Sequence, residues 1–146
     1  MPEIGIGGLA DGLDIYGTRS YIASMSLYKT RPFARLAAKA EITDRALKKS
    51  AEEIGSGLIH ADLGGNVFKQ RVALPGRGKR GGCRVIVVAD LKEDRWIFVH
   101  CYLKKDRDNI TDDEENAFRE LARIYLNLSG EDIQAAVTSG ILEEIL

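Results

Sequence analysis

The segments Asn66-Val67-Phe68-Lys69-Gln70-Arg71-Val72-Ala73-Leu74, Gly82-Cys83-Arg84-Val85-Ile86-Val87-Val88-Ala89-Asp90 and Arg95-Trp96-Ile97-Phe98-Val99-His100-Cys101-Tyr102-Leu103-Lys104 decide the fold of this chain. Each is rich in β-branched and aromatic residues, and turn-forming residues separate them, which predicts three antiparallel strands in two hairpins. Strand side chains alternate between faces, so the register settles which residues stand together. With the second hairpin turning over 90–94, Cys83 faces Cys101, Val85 faces Val99 and Val87 faces Ile97, giving one continuous apolar face. Matching that face across the first hairpin sets Val72 against Cys83, Phe68 against Val87 and Arg71 against Arg84. The opposite face then gathers Lys69, Arg71, Arg84, His100, Tyr102 and Lys104 toward the loop at 75–82, with Ile86, Val88, Trp96 and Phe98 at its far end. A slip by one residue would bury several cations against the helices, a heavy desolvation cost.

The flanking segments read as helices. Residues 26–30 predict a short strand, followed by a helix with Pro32 in its first turn and Phe33, Leu36, Ala37 and Ala40 inward. Thr43 caps a second helix with the stripe Ala46, Leu47, Ala51 and Ile54, stopped by Gly55 or Gly57. Downstream, Thr111-Asp112-Asp113-Glu114 is a capping box opening a helix that buries Phe118, Leu121, Ala122, Tyr125 and Leu126. Ser129 caps another helix, Gly140 ends it, and 141–146 form a short strand or tail. The expected class is α+β: two N-terminal helices packed on an antiparallel sheet of three to five strands, with C-terminal helices. Residues 1–24, with four glycines in the first twelve positions, read as a loosely ordered extension, and 25–146 as the domain. Met25-Ser26 would make a natural start.

A length of 146 residues, 45% hydrophobic and 29% charged, suits one globular domain, since chains of this size bury roughly two-thirds of their extended surface. Collagen-like, disordered and disulfide-scaffold classes are excluded. No apolar run reaches the roughly 18 residues of a membrane span, and the N-terminus lacks the order of a signal peptide, so a cytoplasmic protein without a membrane partner is expected. Cys83 and Cys101, with no C-x-x-C spacing, read as reduced buried thiols, and no metal or cofactor is expected.

The net charge of −1 conceals a local bias. Between Asp62 and Asp90 there is no acidic residue, while Lys69, Arg71, Arg77, Lys79, Arg80 and Arg84 carry six positive charges. Cations gathered on one sheet face repel unless an anion comes between them, and a phosphate-bearing partner supplies one. Gly76-x-Gly78-x-x-Gly81 matches a dinucleotide fingerprint on paper, but that motif feeds a strand into a helix, and here a strand follows. The Walker pattern also fails, since Arg80 stands where Ser or Thr is needed. The loop reads instead as a basic turn that can lie along a nucleic-acid backbone.

The order of elements, with Lys29-Thr30-Arg31-Pro32-Phe33-Ala34, Ala61-Asp62-Leu63-Gly64-Gly65-Asn66-Val67-Phe68-Lys69-Gln70-Arg71-Val72, Gly76-Arg77-Gly78-Lys79-Arg80-Gly81-Gly82-Cys83-Arg84 and Lys104-Lys105-Asp106-Arg107-Asp108-Asn109-Ile110, resembles the RelE superfamily of bacterial type II toxins, and more closely its HigB-like branch. The resemblance implies a RelE-like fold and a metal-independent endoribonuclease that cuts messenger RNA on the ribosome and is held inactive by a cognate antitoxin, commonly a helix-turn-helix DNA-binding protein. It further implies that Lys69, Arg71, Arg84 and Lys104 are catalytic. Cleavage without metal must deprotonate the 2′-oxygen, stabilise the charge growing on phosphate and protonate the departing 5′-oxygen: Arg71 and Arg84 suit the second task, with Lys104 in support, and Lys69 the first, because crowding by cations lowers its pKa. Arg71 or His100 would lie near the leaving group. Arg77, Lys79, Arg80, His100, Arg107 and Asn109 are candidate RNA contacts, including ribosomal RNA.

Two other readings fit the same order of elements. One is a non-catalytic module like a double-stranded-RNA-binding domain, which would grip RNA by helix and loop edges. The other is a relative that poisons gyrase by protein contact, which would lack the basic strand set.

Overall fold

The computed structural model describes residues 25–76 and 78–146, with the backbone alone at 78–81; the expectations for 1–24 and for Arg77 lie outside the described residues. The order is β1 (Ser26–Thr30), α1 (Arg31–Ala40), α2 (Asp44–Gly55), β2 (Ala61–Gly64), β3 (Val67–Leu74), β4 (Gly78–Asp90), β5 (Arg95–Leu103), α3 (Asp112–Leu126), α4 (Gly130–Thr138) and β6 (Leu142–Ile145).

Local chemistry starts each helix. The Thr30 hydroxyl accepts the Phe33 N–H at 3.2 Å and the Thr43 hydroxyl accepts that of Ala46 at 3.1 Å. Reciprocal capping boxes, Thr111 with Glu114 and Ser129 with Asp132, open α3 and α4. Such caps satisfy N–H groups that the first turn leaves orphaned.

The α+β class is observed, but the sheet has six strands in the order β2-β3-β4-β5-β1-β6 rather than three to five, and it is mixed rather than antiparallel. β1 runs parallel to β5, and β6 antiparallel to β1. A parallel neighbour needs a long crossover, here everything from α1 to β4. β2 and β6 are four residues each, too short for an apolar period to show, which is why the sequence undercounts the sheet.

Helices cover both faces. On one, α1 and α2 pack Phe33, Ala37, Leu47, Ala51 and Ile54 against Phe68, Val85, Val87, Trp96, Phe98 and Cys101, with the Phe33 and Phe98 rings 5.5 Å apart. On the other, Ala122 of α3 and Ile133 of α4 join Val67, Ile86, Val88, Ile97 and Val99.

The first hairpin has the predicted register, with Phe68 opposite Val87, Arg71 opposite Arg84 and Val72 opposite Cys83. The second does not. Cys83 pairs with Leu103 and Val85 with Cys101, two residues from the expected partners, and a β-bulge shifts the ladder so that Val87 pairs with Phe98. Val99 is the extra residue. It and His100 stand together against Ile86, and the alternation of β5 inverts across them. Trp96 and Phe98, expected at the far end of the cationic face, are therefore buried under α1 and α2, while Ile97 and Val99 take their place. Trp-Ile-Phe-Val is apolar at every position, so its pattern carries no parity from which the flip could be read.

Candidate functional site

The ladders set two rows across the sheet: Lys69, Ile86 and His100, then Arg71, Arg84 and Tyr102. One step further, the Lys104 N–H donates to the Gly82 carbonyl at 3.2 Å. Lys69, Arg71, Arg84 and Lys104 thus come from three adjacent strands, or the residue just beyond one, to the loop end of the sheet. Because the shift in the second hairpin is two residues here, side-chain parity survives it.

The four cations are held differently. Lys69 Nζ donates to Asn109 Oδ1 at 3.1 Å, and Lys104 Nζ donates to the Asp108 carbonyl at 2.8 Å with the Asp108 carboxylate 3.8 Å away. Arg71 is exposed and makes no hydrogen bond or ion pair among the described residues. Arg84 is 5% exposed, and its Nη1 is buried without a partner. A buried donor left unpaired costs about 1–3 kcal/mol, and more when charged; a bound anion would relieve that cost. Burial lowers the pKa of Lys69, Glu115 pulls it back up, and the charges of Arg84 and Lys104 push it down again.

The loop between β5 and α3 forms one wall. Arg107 grips Glu114 with both guanidinium nitrogens, at 2.6 and 3.1 Å, and donates through Nε to the Asn109 carbonyl at 2.9 Å. Its guanidinium lies 5.7 Å from the centre of the Tyr102 ring, a cation–π distance. Glu114 also accepts the Thr111 N–H at 2.7 Å. The Arg107 hydrogen bond foremost, then that of Thr111, holds its carboxyl down at about 2. The capping carboxylate read from the sequence therefore has a second duty, fastening the loop to α3. Asn109 Oδ1, besides Lys69, accepts the Ile110 N–H at 2.8 Å and lies 3.5 Å from the Tyr102 hydroxyl.

His100 stacks on Phe118 of α3 at 5.5 Å, and its Nε2 is buried without a partner. Burial lowers its pKa first, Glu114 opposes, and Arg107 lowers it further. The structure thus gathers Lys69, Arg71, Arg84, Lys104, His100 and Asn109, with Arg107 at the edge; the side chains of Lys79 and Arg80 lie outside the described residues. Two residues escaped the sequence reading. Tyr102, 7% exposed, pairs with Arg84 and was visible on the cationic face without a reason to choose it. His60, in the loop before β2, lies in the field of all four cations, a proximity that no local motif announces.

Cys83 and Cys101 are free and buried, as expected, and the Cys83 thiol donates to the Arg84 carbonyl at 3.5 Å. Among the described residues no group of three or more His, Cys, Asp or Glu side chains is placed to hold a metal ion, and no helix is long and apolar enough to cross a membrane.

Residues 25–145 match the family described as the RelE toxin of the RelE/RelB toxin-antitoxin system. The chain belongs to the RelE toxin family. No curated protein matches it significantly. Membership implies an antitoxin as partner, and the match covers the full run of elements from β1 to β6.

Proposed function

We propose that this RelE-family chain is a HigB-like endoribonuclease that cuts messenger RNA on the ribosome without a metal, by attack of a ribose 2′-oxygen on the adjacent phosphate. The observation that carries this reading is the row Arg71–Arg84 beside Lys69 and Lys104, in which one guanidinium nitrogen is buried and unpartnered. A pentacovalent phosphate gains negative charge as it forms, and guanidinium groups stabilise it because their fork meets two oxygens and does not lose its proton. Arg71 is exposed to meet the substrate, Arg84 reinforces it from beneath, and Lys104 adds charge at the rim. Lys69 exchanges a proton with the reacting groups. Cations gathered on the sheet favour this reading over a module that grips RNA by helix and loop edges.

The proton equipment is modest, which suits a reaction that relies on the ribosome to hold the message in line for attack. Arg77, with Lys79 and Arg80 of β4, then engages ribosomal RNA phosphates, and a cognate antitoxin, of the helix-turn-helix DNA-binding kind, keeps the site idle. Primer-extension mapping of a message in a reconstituted translation reaction tests this: cuts within codons at the ribosomal A site are expected, whereas stalled but intact message would overturn cleavage in favour of RNA binding alone.

A further inference from the structure

Phosphoryl transfer from RNA needs a group that is unprotonated near neutral pH and can take the 2′-hydroxyl proton. An ammonium ordinarily holds its proton to a pH about four above that of an imidazolium, so Lys69, although burial lowers its pKa, is better suited to give a proton than to take one. The chain has two histidines. His100 is half-buried, stacked on Phe118 with its Nε2 buried, the less accessible of the two. His60 is exposed, on the loop between α2 and β2, and lines a cavity of about 440 Å³ together with Glu53, Leu58, Gln70 and Arg71.

That loop is fixed from the cationic strand itself. Gln70 lies between Lys69 and Arg71 on β3 and is buried. Its Oε1 accepts the His60 N–H at 2.9 Å, while its Nε2 donates to the Leu58 carbonyl at 2.9 Å and to Glu53 Oε1 at 3.1 Å. A buried carboxamide using both ends on one loop holds that loop in place. The charged groups about His60 are Arg71 and Lys69 from β3, Arg84 from β4, Lys104 after β5 and Glu53 from α2. Burial foremost, then the four cations with Arg71 first, hold its pKa below 6.5, so the imidazole is neutral at pH 7 and able to accept a proton.

Resting on the endoribonuclease reading, we infer that His60 is the general base: placed by Gln70 at the rim it shares with Arg71, it removes the proton of the attacking 2′-hydroxyl. The O2′–P bond forms as that proton passes to the imidazole, the P–O5′ bond breaks, and the departing 5′-oxygen takes a proton from the Lys69 ammonium. The products are a 2′,3′-cyclic phosphate and a 5′-hydroxyl. Solvent then restores both side chains.

The test is the rate of cleavage on ribosomes between about pH 5.5 and 8.5 for the wild type, His60→Gln, His60→Ala and Lys69→Met. The wild-type rate should rise with pH through a value below 6.5 and then level off. His60→Gln should lose that limb and about 100-fold or more in rate, and added imidazole should restore His60→Ala. Exposed His60 supports no core, so its variants should fold. A His60→Gln protein that keeps both rate and limb overturns the assignment, as does a limb that survives in His60→Gln and vanishes in Lys69→Met. A wild type that cuts at no pH overturns the endoribonuclease reading itself, a result distinct from either.

Discussion

The two faces of the central sheet are built from the same strands and do opposite things. Under α1 and α2 every inward side chain of β3, β4 and β5 is apolar or a thiol, apart from the buried Gln70, and Phe33, Leu47, Trp96 and Phe98 are fully buried. Toward α3 the face is divided: Ile86, Val88, Ile97 and Val99 are dry, while a few residues along the same strands Lys69, Arg71 and Arg84 sit with hydrogen bonds incomplete or missing. Alternation lets one strand be a wall of the core and a floor of the site at once. The core side leaves one neutral donor, Trp96 Nε1, without a partner, while the orphan on the cationic side, Arg84 Nη1, belongs to a charged group, which an anionic partner can meet.

The contrast is most exposed to attack on the core side. Phe98→Ala should destabilise the fold by about 3–5 kcal/mol, a large share of a small domain's stability, read as a fall in urea midpoint. Had Phe98 stood on the cationic face as its position in the strand first suggested, a much smaller loss would follow. Arg84→Met should do the reverse. Cleavage on ribosomes should drop about 100- to 1,000-fold, while the thermal midpoint holds or rises, because an apolar chain replaces a buried charge with an orphaned nitrogen. A midpoint several degrees lower would make Arg84 a structural residue. Asn109→Ala, which frees Lys69, should reduce cleavage roughly tenfold, the worth of one well-placed hydrogen bond, with a slightly lower melt because the Ile110 N–H loses its acceptor; equal activity would remove Asn109 from the site.

The smallest effect concerns pH. Glu114 is held at about 2 by Arg107 and Thr111, against 4.5 for a free carboxyl. A depressed carboxylate contributes stability above its unfolded pKa and loses it as pH falls toward the folded one. Glu114→Gln should therefore melt below the wild type above pH 4.5, and the two curves should meet near pH 2. Because the pair lies at the surface, the gap is small.

The legible part of the molecule is the part governed by short-range rules. Thr43, Thr111 and Ser129 announce their helices by capping chemistry, and Val72, Phe68 and Val87 align the first hairpin because apolar and cationic residues alternate there. Where alternation stops, at Trp96-Ile97-Phe98-Val99, the sequence holds no parity, and the inversion of β5 is decided by packing against α1. His60 escaped for a related reason: its neighbourhood with Arg71 is made by Gln70, ten residues away in the chain, and tertiary placement has no local signature. Arg107 was legible as a cation, but its engagement with Glu114 arises only once the loop folds back on α3.

The bulge at Val99 makes β5 a strand of two halves with independent inside and outside. Removing Val99 alone would close the ladder, leaving Tyr102 and Lys104 undisturbed and Trp96 and Phe98 under α1 and α2, whereas removing Phe98 with it would turn Arg95 to Ile97 over and send an indole into the space beneath α3. A length change at this point is thus tolerable by the one extra residue and not by two. Circular dichroism of a Val99 deletion beside that of a paired Phe98–Val99 deletion would reveal the difference.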